Sequence, residues 1–158
     1  MNKILVKEKY FISLVWTAIF LVLFFCLQHI AAFHFFFMEQ WQTFIYDGTF
    51  ISSVLFQPGG FAQLIADFLV QFFYIPYCGA LIFSLLLIFL AWLTGELLKK
   101  LASQLYFPLL GLLPVISMMF LQLNINYQLS GTVAFLLCVT ALYILTFFKS
   151  VKSQVIYS

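Results

Sequence analysis

The sequence predicts an all-α polytopic membrane protein with four transmembrane helices and two interfacial amphipathic helices in the first outer loop. The first observation behind this prediction is composition: 65% of the 158 residues are hydrophobic and 8% are charged. Soluble domains are about half apolar and about a quarter charged. The second observation is that four apolar runs approach or exceed the length of about 20 residues that crosses a bilayer.

The four apolar runs define a single membrane domain over residues 1–158. We expect the spans at about residues 11–33, 74–98, 104–123 and 129–148. The third run contains Pro108, Gly111 and Pro114. Membrane helices tolerate proline where neighbouring helices satisfy the freed carbonyl groups. We therefore expect the third span to be kinked.

The lysines predict the orientation of the spans. With four spans, every lysine falls on one side of the membrane: Lys3, Lys7, Lys9, Lys99, Lys100, Lys149 and Lys152. The positive-inside rule assigns that side to the cytoplasm. We expect an inner-membrane location with both termini cytoplasmic and the lipid bilayer as surroundings. The seven lysines, without arginine, form no basic patch, so no nucleic-acid partner is expected.

The outer loop, residues 34–73, is rich in phenylalanine and is divided by turn signals at residues 47–48 and 58–60. One amphipathic helix fits before residue 47 and another after residue 60, each lying in the headgroup plane. The polar face of the first comprises Glu39, Gln42, Thr43 and Tyr46. The polar face of the second comprises Gln63, Asp67 and Gln71. The predicted interaction surface comprises Trp41, Phe44, Asp67, Phe68 and Gln71.

The spans lack the marks of several activities. None has an ionisable residue near its middle, as ion-coupled transport requires. His29 and His34 are five residues apart, which does not place them on one helix face for a shared metal. Three cysteines in separate apolar runs fit small buried hydrophobes. We expect no metal and no cofactor.

The acids of the outer loop, Glu39 and Asp47, are the candidate catalytic residues. They stand in a particular order: an acid after the first span, Y-D-G, the turn Q-P-G-G-F, an amphipathic helix, and F-Y-I-P-Y-C-G-A-L-I. This order resembles the N-terminal part of membrane glycosyltransferases of the GT-C fold. It also looks like an uncharacterised family of multi-pass bacterial inner-membrane proteins. The GT-C resemblance implies a first-loop acid, Glu39 or secondarily Asp47, acting as base or metal ligand on a sugar linked to polyprenyl phosphate.

The chain departs from that enzyme pattern in its cations. Phosphate leaving groups need outward cationic groups, ideally arginine, whereas this chain has no arginine and its lysines are predicted inside. We therefore predict a membrane-embedded interaction or structural module that packs on a membrane-protein partner or on itself. Small residues, Gly111, Gly131 and Ala134, provide close-packing faces. The alternatives are an N-terminal glycosyltransferase module and a binder of lipid beneath the outer helices.

Overall fold

The computed structural model describes residues 2–101, 110–122, 124 and 126–156. Over these residues the regular structure is helical throughout. The α-helices are α1 Asn2–Ile30, α2 Ala32–Trp41, α3 Gly48–Leu55, α4 Gly60–Val70, α5 Cys78–Leu101, α6 Leu112–Leu121 and α7 Leu129–Ile156. A short 3₁₀ helix, Gln71–Tyr74, joins α4 to the approach of α5.

Three of the described helices are long and apolar enough to cross a membrane. The qualifying segments are Ser13–Ile30 of α1, Cys78–Lys100 of α5 and Leu129–Thr146 of α7. They correspond to the first, second and fourth predicted spans, and they fit a membrane protein. The predicted third span, residues 104–123, lies partly outside the described residues. Its described portion, α6, is a shorter apolar helix of ten residues.

Helix α5 is the centre of the bundle. Helices α1, α6 and α7 and the 3₁₀ helix each pack against it. Its inward side chains Phe83, Leu87 and Leu90 have no exposed surface, which is the burial expected where neighbours surround a helix. At the far end of α5, Lys99 forms the ion pair with Glu96 that the i, i+3 spacing predicts, at 2.6 Å.

The first outer helix ends earlier than the sequence predicts, and a further helix, α3, follows it. Helix α2 stops at Trp41, because Gln42 adopts an extended conformation. The polar face predicted to run from Glu39 to Tyr46 is therefore not one helical face. The chain becomes helical again at Gly48, with Asp47 at the N-cap position of α3. The predicted turn at residues 47–48 is thus the start of a helix.

Among the described helices, α4 and α7 share the most extensive contact. The small and branched side chains of α4, Ala62, Ala66 and Val70, are buried in this contact region, because small residues let two helix backbones approach closely. Asp67 is also buried, with 5% of its surface exposed. The sequence pattern predicts Asp67 on a polar helix face in water, whereas the structure places it inside the protein.

Candidate functional site

The candidate site lies at one end of the bundle, which we call the loop end. Here α1 passes into α2, α6 ends, and α5 and α7 begin. The ring of Phe35 in α2 lies 5.4 Å from that of Phe73 and 5.9 Å from that of Phe83, so α2 is held onto the 3₁₀ helix and α5. A side chain at Gly79 would collide with Phe35. The close approach at this glycine fixes α2 in position.

A cleft of about 230 Å³ opens at the loop end between α2 and the turn that joins α6 to α7. It is lined by Phe37, Met38, Trp41, Gln42, Asn126, Tyr127 and Gln128. The indole of Trp41 packs beside Phe37, with ring centroids 5.8 Å apart, and remains 76% exposed. The side-chain oxygen of Gln42 is buried, and no partner for it exists within the described residues. The cleft thus combines an aromatic wall with side-chain amides.

Tyr127 fixes the wall of the cleft that the α6–α7 turn provides. Its hydroxyl lies 3.0 Å from the hydroxyl of Thr132 in α7 and donates to the sulfur of Met118 in α6 at 3.4 Å. The ring covers Gly131, where an added Cβ would lie 3.0 Å from the tyrosine oxygen. Because one side chain contacts both helices, the turn has a defined position relative to α6 and α7.

His34 lies behind this wall and is buried, with 7% of its surface exposed. Burial lowers the pKa of its imidazole, and the backbone of Tyr127 acts in the opposite direction. Within the described part of the chain, neither ring nitrogen has a hydrogen-bond partner of good geometry. The imidazole is therefore favoured in its neutral form, because a buried charge needs a partner that compensates for lost hydration.

Three of the predicted interaction residues hold the loop together. Gln71 donates from its amide nitrogen to the carbonyl of Phe44 at 2.9 Å and accepts from the hydroxyl of Tyr46 at 2.9 Å. The ring of Phe44 meets those of Phe50 and Phe68 edge-on, at 6.1 and 5.9 Å. Phe44, Phe68 and Gln71 therefore join residues 42–47 to α3 and α4. Among the predicted interaction residues, Trp41 has the largest free surface.

The three loop acids occupy three different environments. Glu39 is half-buried on α2. Asp47 is exposed, and the hydroxyl of Thr49 donates to its carboxylate; this bond and neighbouring backbone N–H groups lower the pKa of the carboxyl. For Asp67, burial raises the pKa of the carboxyl, while a hydrogen bond from Gln63 lowers it. Asp47 thus lies at the N-cap position of α3 and accepts from the Thr49 hydroxyl, without a side-chain cap hydrogen bond of good geometry. Asp67 is the acid with the buried carboxyl.

Of the side chains that line the cleft, Trp41 alone was predicted from the sequence as an interaction residue. His34 and Gln42 carry no motif, and Tyr127 lies between the third and fourth predicted spans, where no feature was predicted. A polar residue in an otherwise apolar stretch was the available signal. Among the described residues, no three His, Cys, Asp or Glu side chains are close enough to hold a metal ion. The chemistry available in the cleft is neutral hydrogen bonding and contact with an aromatic face.

The fold is a helical bundle in which three described helices are long and apolar enough to cross a membrane, with a polar, aromatic cleft at one end. Comparison with known families shows that the chain belongs to DUF6057, a family of unknown function, which it matches over residues 7–158. No curated protein and no solved structure matches the chain. The family match agrees with the expected resemblance to an uncharacterised family.

Proposed function

We propose that the chain is a multi-pass inner-membrane module with four spans, both termini in the cytoplasm and the loop end outside. Lys99 and its partner Glu96 lie at the end of α5 remote from the loop end. Lys100 stacks over the ring of Tyr143 in α7, 4.1 Å from its centroid. Lysines are enriched at the cytoplasmic ends of membrane helices, so the position of Lys99 and Lys100 favours a cytoplasmic location for this end of the bundle. The stretch around α6 supplies the remaining crossing.

Single cysteines test this topology. In a chain whose three native cysteines are replaced by alanine, a membrane-impermeant maleimide should label Gln57→Cys in intact spheroplasts. It should label Ser153→Cys only after the membrane is permeabilised. Labelling of both positions in intact spheroplasts, or of neither, would contradict the even-span arrangement.

The function we propose for this module is recognition of a membrane-protein partner or a second copy through residues 32–77, here called the loop platform. The observation that carries this proposal is that hydrogen bonds of Gln71 and ring contacts of Phe44 hold the segments of the platform together. A surface whose segments are already held in place loses little conformational entropy when it binds a partner. Yet the platform leaves large side chains free: Trp41 is 76% exposed, Phe56 88%, Phe61 59% and Tyr74 77%. Exposed aromatic side chains on a rigid support are typical anchors of interfaces.

The test is co-purification of partners with Trp41→Gln, because this side chain is exposed and its loss does not remove the Gln71 contacts. We expect the associated protein, or a second copy carrying a different tag, to be lost. Leu145→Gln is the matched control, since Leu145 is 64% exposed on α7, away from the platform. If Trp41→Gln and Phe61→Gln both retained every association, the platform would not be a recognition surface.

The alternative function is an N-terminal module of a GT-C-like glycosyltransferase that uses a polyprenyl-phosphate-linked sugar. One observation supports this alternative: Glu39 is on the same helix as Met38 and Trp41, which line the cleft. Native mass spectrometry of the protein extracted with its own lipids separates the two functions. A bound polyprenyl phosphate whose amount falls in Glu39→Gln would favour the transferase. A discrete protein partner unaffected by Glu39→Gln would favour recognition.

A further inference from the structure

Aromatic rings and two lysines line one side of the contact between α5 and α7, which we call the α5–α7 groove. The rings of Phe89 and Trp92 are stacked with their centroids 5.9 Å apart, and the indole lies 6.2 Å from the ring of Tyr143 in α7. The ammonium of Lys100 lies 4.1 Å from the centroid of the same tyrosine ring. With Lys99, the preceding residue, the groove has aromatic rings along its length and cationic groups at one end.

The groove runs along the axis of α5. Trp92 and Lys99 are seven residues apart, so they lie on the same side of the helix and about 10 Å from each other along its axis. Both walls belong to membrane-crossing candidates, Cys78–Lys100 and Leu129–Thr146. The headgroup region on each side of a bilayer is about 5–8 Å deep. With Lys99 at the membrane boundary, Trp92 and Phe89 therefore lie beside the acyl chains.

The groove is open to the surroundings of the bundle. The rings of Phe89 and Trp92 are 44% and 43% exposed. The side chain of Lys99 is 50% exposed, although it pairs with Glu96. Tryptophan and tyrosine are enriched at membrane boundaries, because their rings combine an apolar body with a polar group. A lipid molecule at this depth meets cations with its headgroup and aromatic rings with its chains.

The distribution of charge in the chain selects an anionic headgroup. All seven lysines belong to this end of the bundle, at the start of α1 and towards the ends of α5 and α7, together with two acids, Glu8 and Glu96. Residues 34–73, at the loop end, contain the other three acids and no lysine. Basic pockets between membrane helices bind the headgroups of anionic lipids. Charge complementarity therefore indicates a phosphate group without a compensating cation of its own.

We propose that the α5–α7 groove binds an anionic glycerophospholipid of the membrane. The ammonium groups of Lys99 and Lys100 donate to its phosphate oxygens, and one acyl chain lies along Trp92 and Phe89. The ring of Tyr143 positions the Lys100 ammonium by cation–π attraction. An ammonium has three N–H donors, so it contacts a ring face and a phosphate at the same time.

The orientation proposed above assigns this lipid to the inner leaflet. Binding itself depends neither on that orientation nor on the loop platform, because the groove lies at the opposite end of α5 from the platform. A failure of the cysteine-labelling test would therefore change the leaflet and leave the lipid site as it is.

The test uses the full chain in nanodiscs that contain one of two photoreactive lipids, phosphatidylglycerol or phosphatidylcholine. Both lipids have the same acyl chains, one of which carries a diazirine, and adducts are mapped by mass spectrometry of peptides. We expect more phosphatidylglycerol than phosphatidylcholine adducts at Phe89, Trp92 or Tyr143. Lys100→Gln should lower the yield of phosphatidylglycerol adducts about fivefold, the effect of one lysine near an anionic membrane surface.

Matched variants distinguish a site from a diffuse attraction. Lys7→Gln removes the same charge from α1, which does not form the groove, and should leave the adducts in place. Tyr143→Phe keeps the ring beside the Lys100 ammonium and should retain the adducts at Trp92, whereas Tyr143→Leu removes the ring and should lower them. Thermal unfolding of each variant verifies that it is folded.

The outcomes are distinct. Phosphatidylglycerol adducts in the groove that fall in Lys100→Gln and persist in Lys7→Gln support the site. Equal adduct yields for the two lipids, or equal losses in Lys100→Gln and Lys7→Gln, would overturn the proposal, because the groove would not select the headgroup. Inorganic phosphate, compared with chloride at the same ionic strength, should leave the adducts unchanged. If it displaced the lipid, the site would bind free phosphate and the assignment to a phospholipid would be wrong.

Discussion

The hydroxyl of Tyr46 donates a hydrogen bond to the side-chain oxygen of Gln71, 25 positions further along the chain, at 2.9 Å. The nitrogen of the same amide donates to the carbonyl of Phe44. One side chain thus satisfies a backbone acceptor and a phenol in the segment that follows α2. This segment has no helix or sheet to satisfy its backbone, so the amide takes the place of secondary structure.

Gln71→Leu should destabilise the protein by about 1–3 kcal/mol, because it removes two hydrogen bonds and leaves the part-buried Phe44 carbonyl without its donor. The measurement is thermal unfolding in detergent. Gln57→Leu is the matched control: Gln57 is exposed in the turn between α3 and α4, and its loss should have little effect. Equal unfolding midpoints for wild type and Gln71→Leu would contradict the role of this amide.

Asp67 should make stability decrease as the pH rises. Burial raises the pKa of its carboxyl above the ordinary 3.8. A carboxyl with a raised folded-state pKa contributes stability that is complete below 3.8 and is lost as the pH rises through the folded-state value. Each unit of pKa difference corresponds to about 1.4 kcal/mol.

Asp67→Asn should therefore raise the midpoint of thermal unfolding at neutral pH and match wild type in acid. The decisive measurement is the difference between the two proteins across the acid-to-neutral range. A difference that does not change with pH would show that Asp67 is not the titrating group.

Asp47 should act with the opposite sign. Hydrogen bonds from Thr49 and neighbouring N–H groups lower the pKa of its carboxyl. The stabilisation is therefore present above 3.8 and lost as the pH falls through the lower folded-state value. Asp47→Ala removes the acceptor of the Thr49 hydroxyl and should reduce stability at neutral pH, whereas Asp47→Asn keeps an acceptor oxygen and should retain most of it. If Ala and Asn gave equal losses, accepting the Thr49 hydrogen bond would not be the role of Asp47.

The long apolar helices could be predicted from the sequence because each carries its own evidence. The segments Ser13–Ile30, Cys78–Lys100 and Leu129–Thr146 fall where the apolar runs predict them. Helix formation within a bilayer is required by the backbone itself, since no water is present to satisfy its polar groups. The pairing of Glu96 with Lys99 is equally local, because three residues separate the partners.

The outer loop could not be predicted in the same way. Residues 39–46 have helical periodicity, but the helix ends at Trp41. Contacts from Gln71 and from the rings of Phe50 and Phe68 hold the residues that follow in a non-helical conformation. Tertiary contacts overrode the local preference. Gln63, Asp67 and Gln71 recur every four residues and therefore share one helix face, but this spacing is the same whether the face is exposed to water or packed against protein. Periodicity therefore could not show that α4 packs against α7.

Gly111 shows where a small residue sets the distance between helices. A Cβ added there would lie 2.8 Å from the backbone nitrogen of Gly95 and 2.9 Å from the carbonyl oxygen of Ala91, and both atoms belong to the rigid backbone of α5. The hydroxyl of Thr94 lies 3.0 Å from the Gly111 carbonyl across the same contact. Its one proton is shared with the carbonyls of Leu90 and Ala91 in its own helix, at 2.8 and 3.1 Å. The approach at this point is therefore as close as glycine permits.

Gly111→Ala should destabilise the protein by about 1–3 kcal/mol, the usual cost of overpacking, because α6 must move away from α5 and the Thr94 hydrogen bond must lengthen. Gly48→Ala is the matched control, since an added Cβ there meets nothing within 4 Å. Thermal unfolding of both variants measures the difference. Thr94→Val in the Gly111→Ala background should cost less than Thr94→Val alone, because the two residues share one contact. Additive losses would show that the hydrogen bond survives the displacement, and with it the present spacing of α5 and α6.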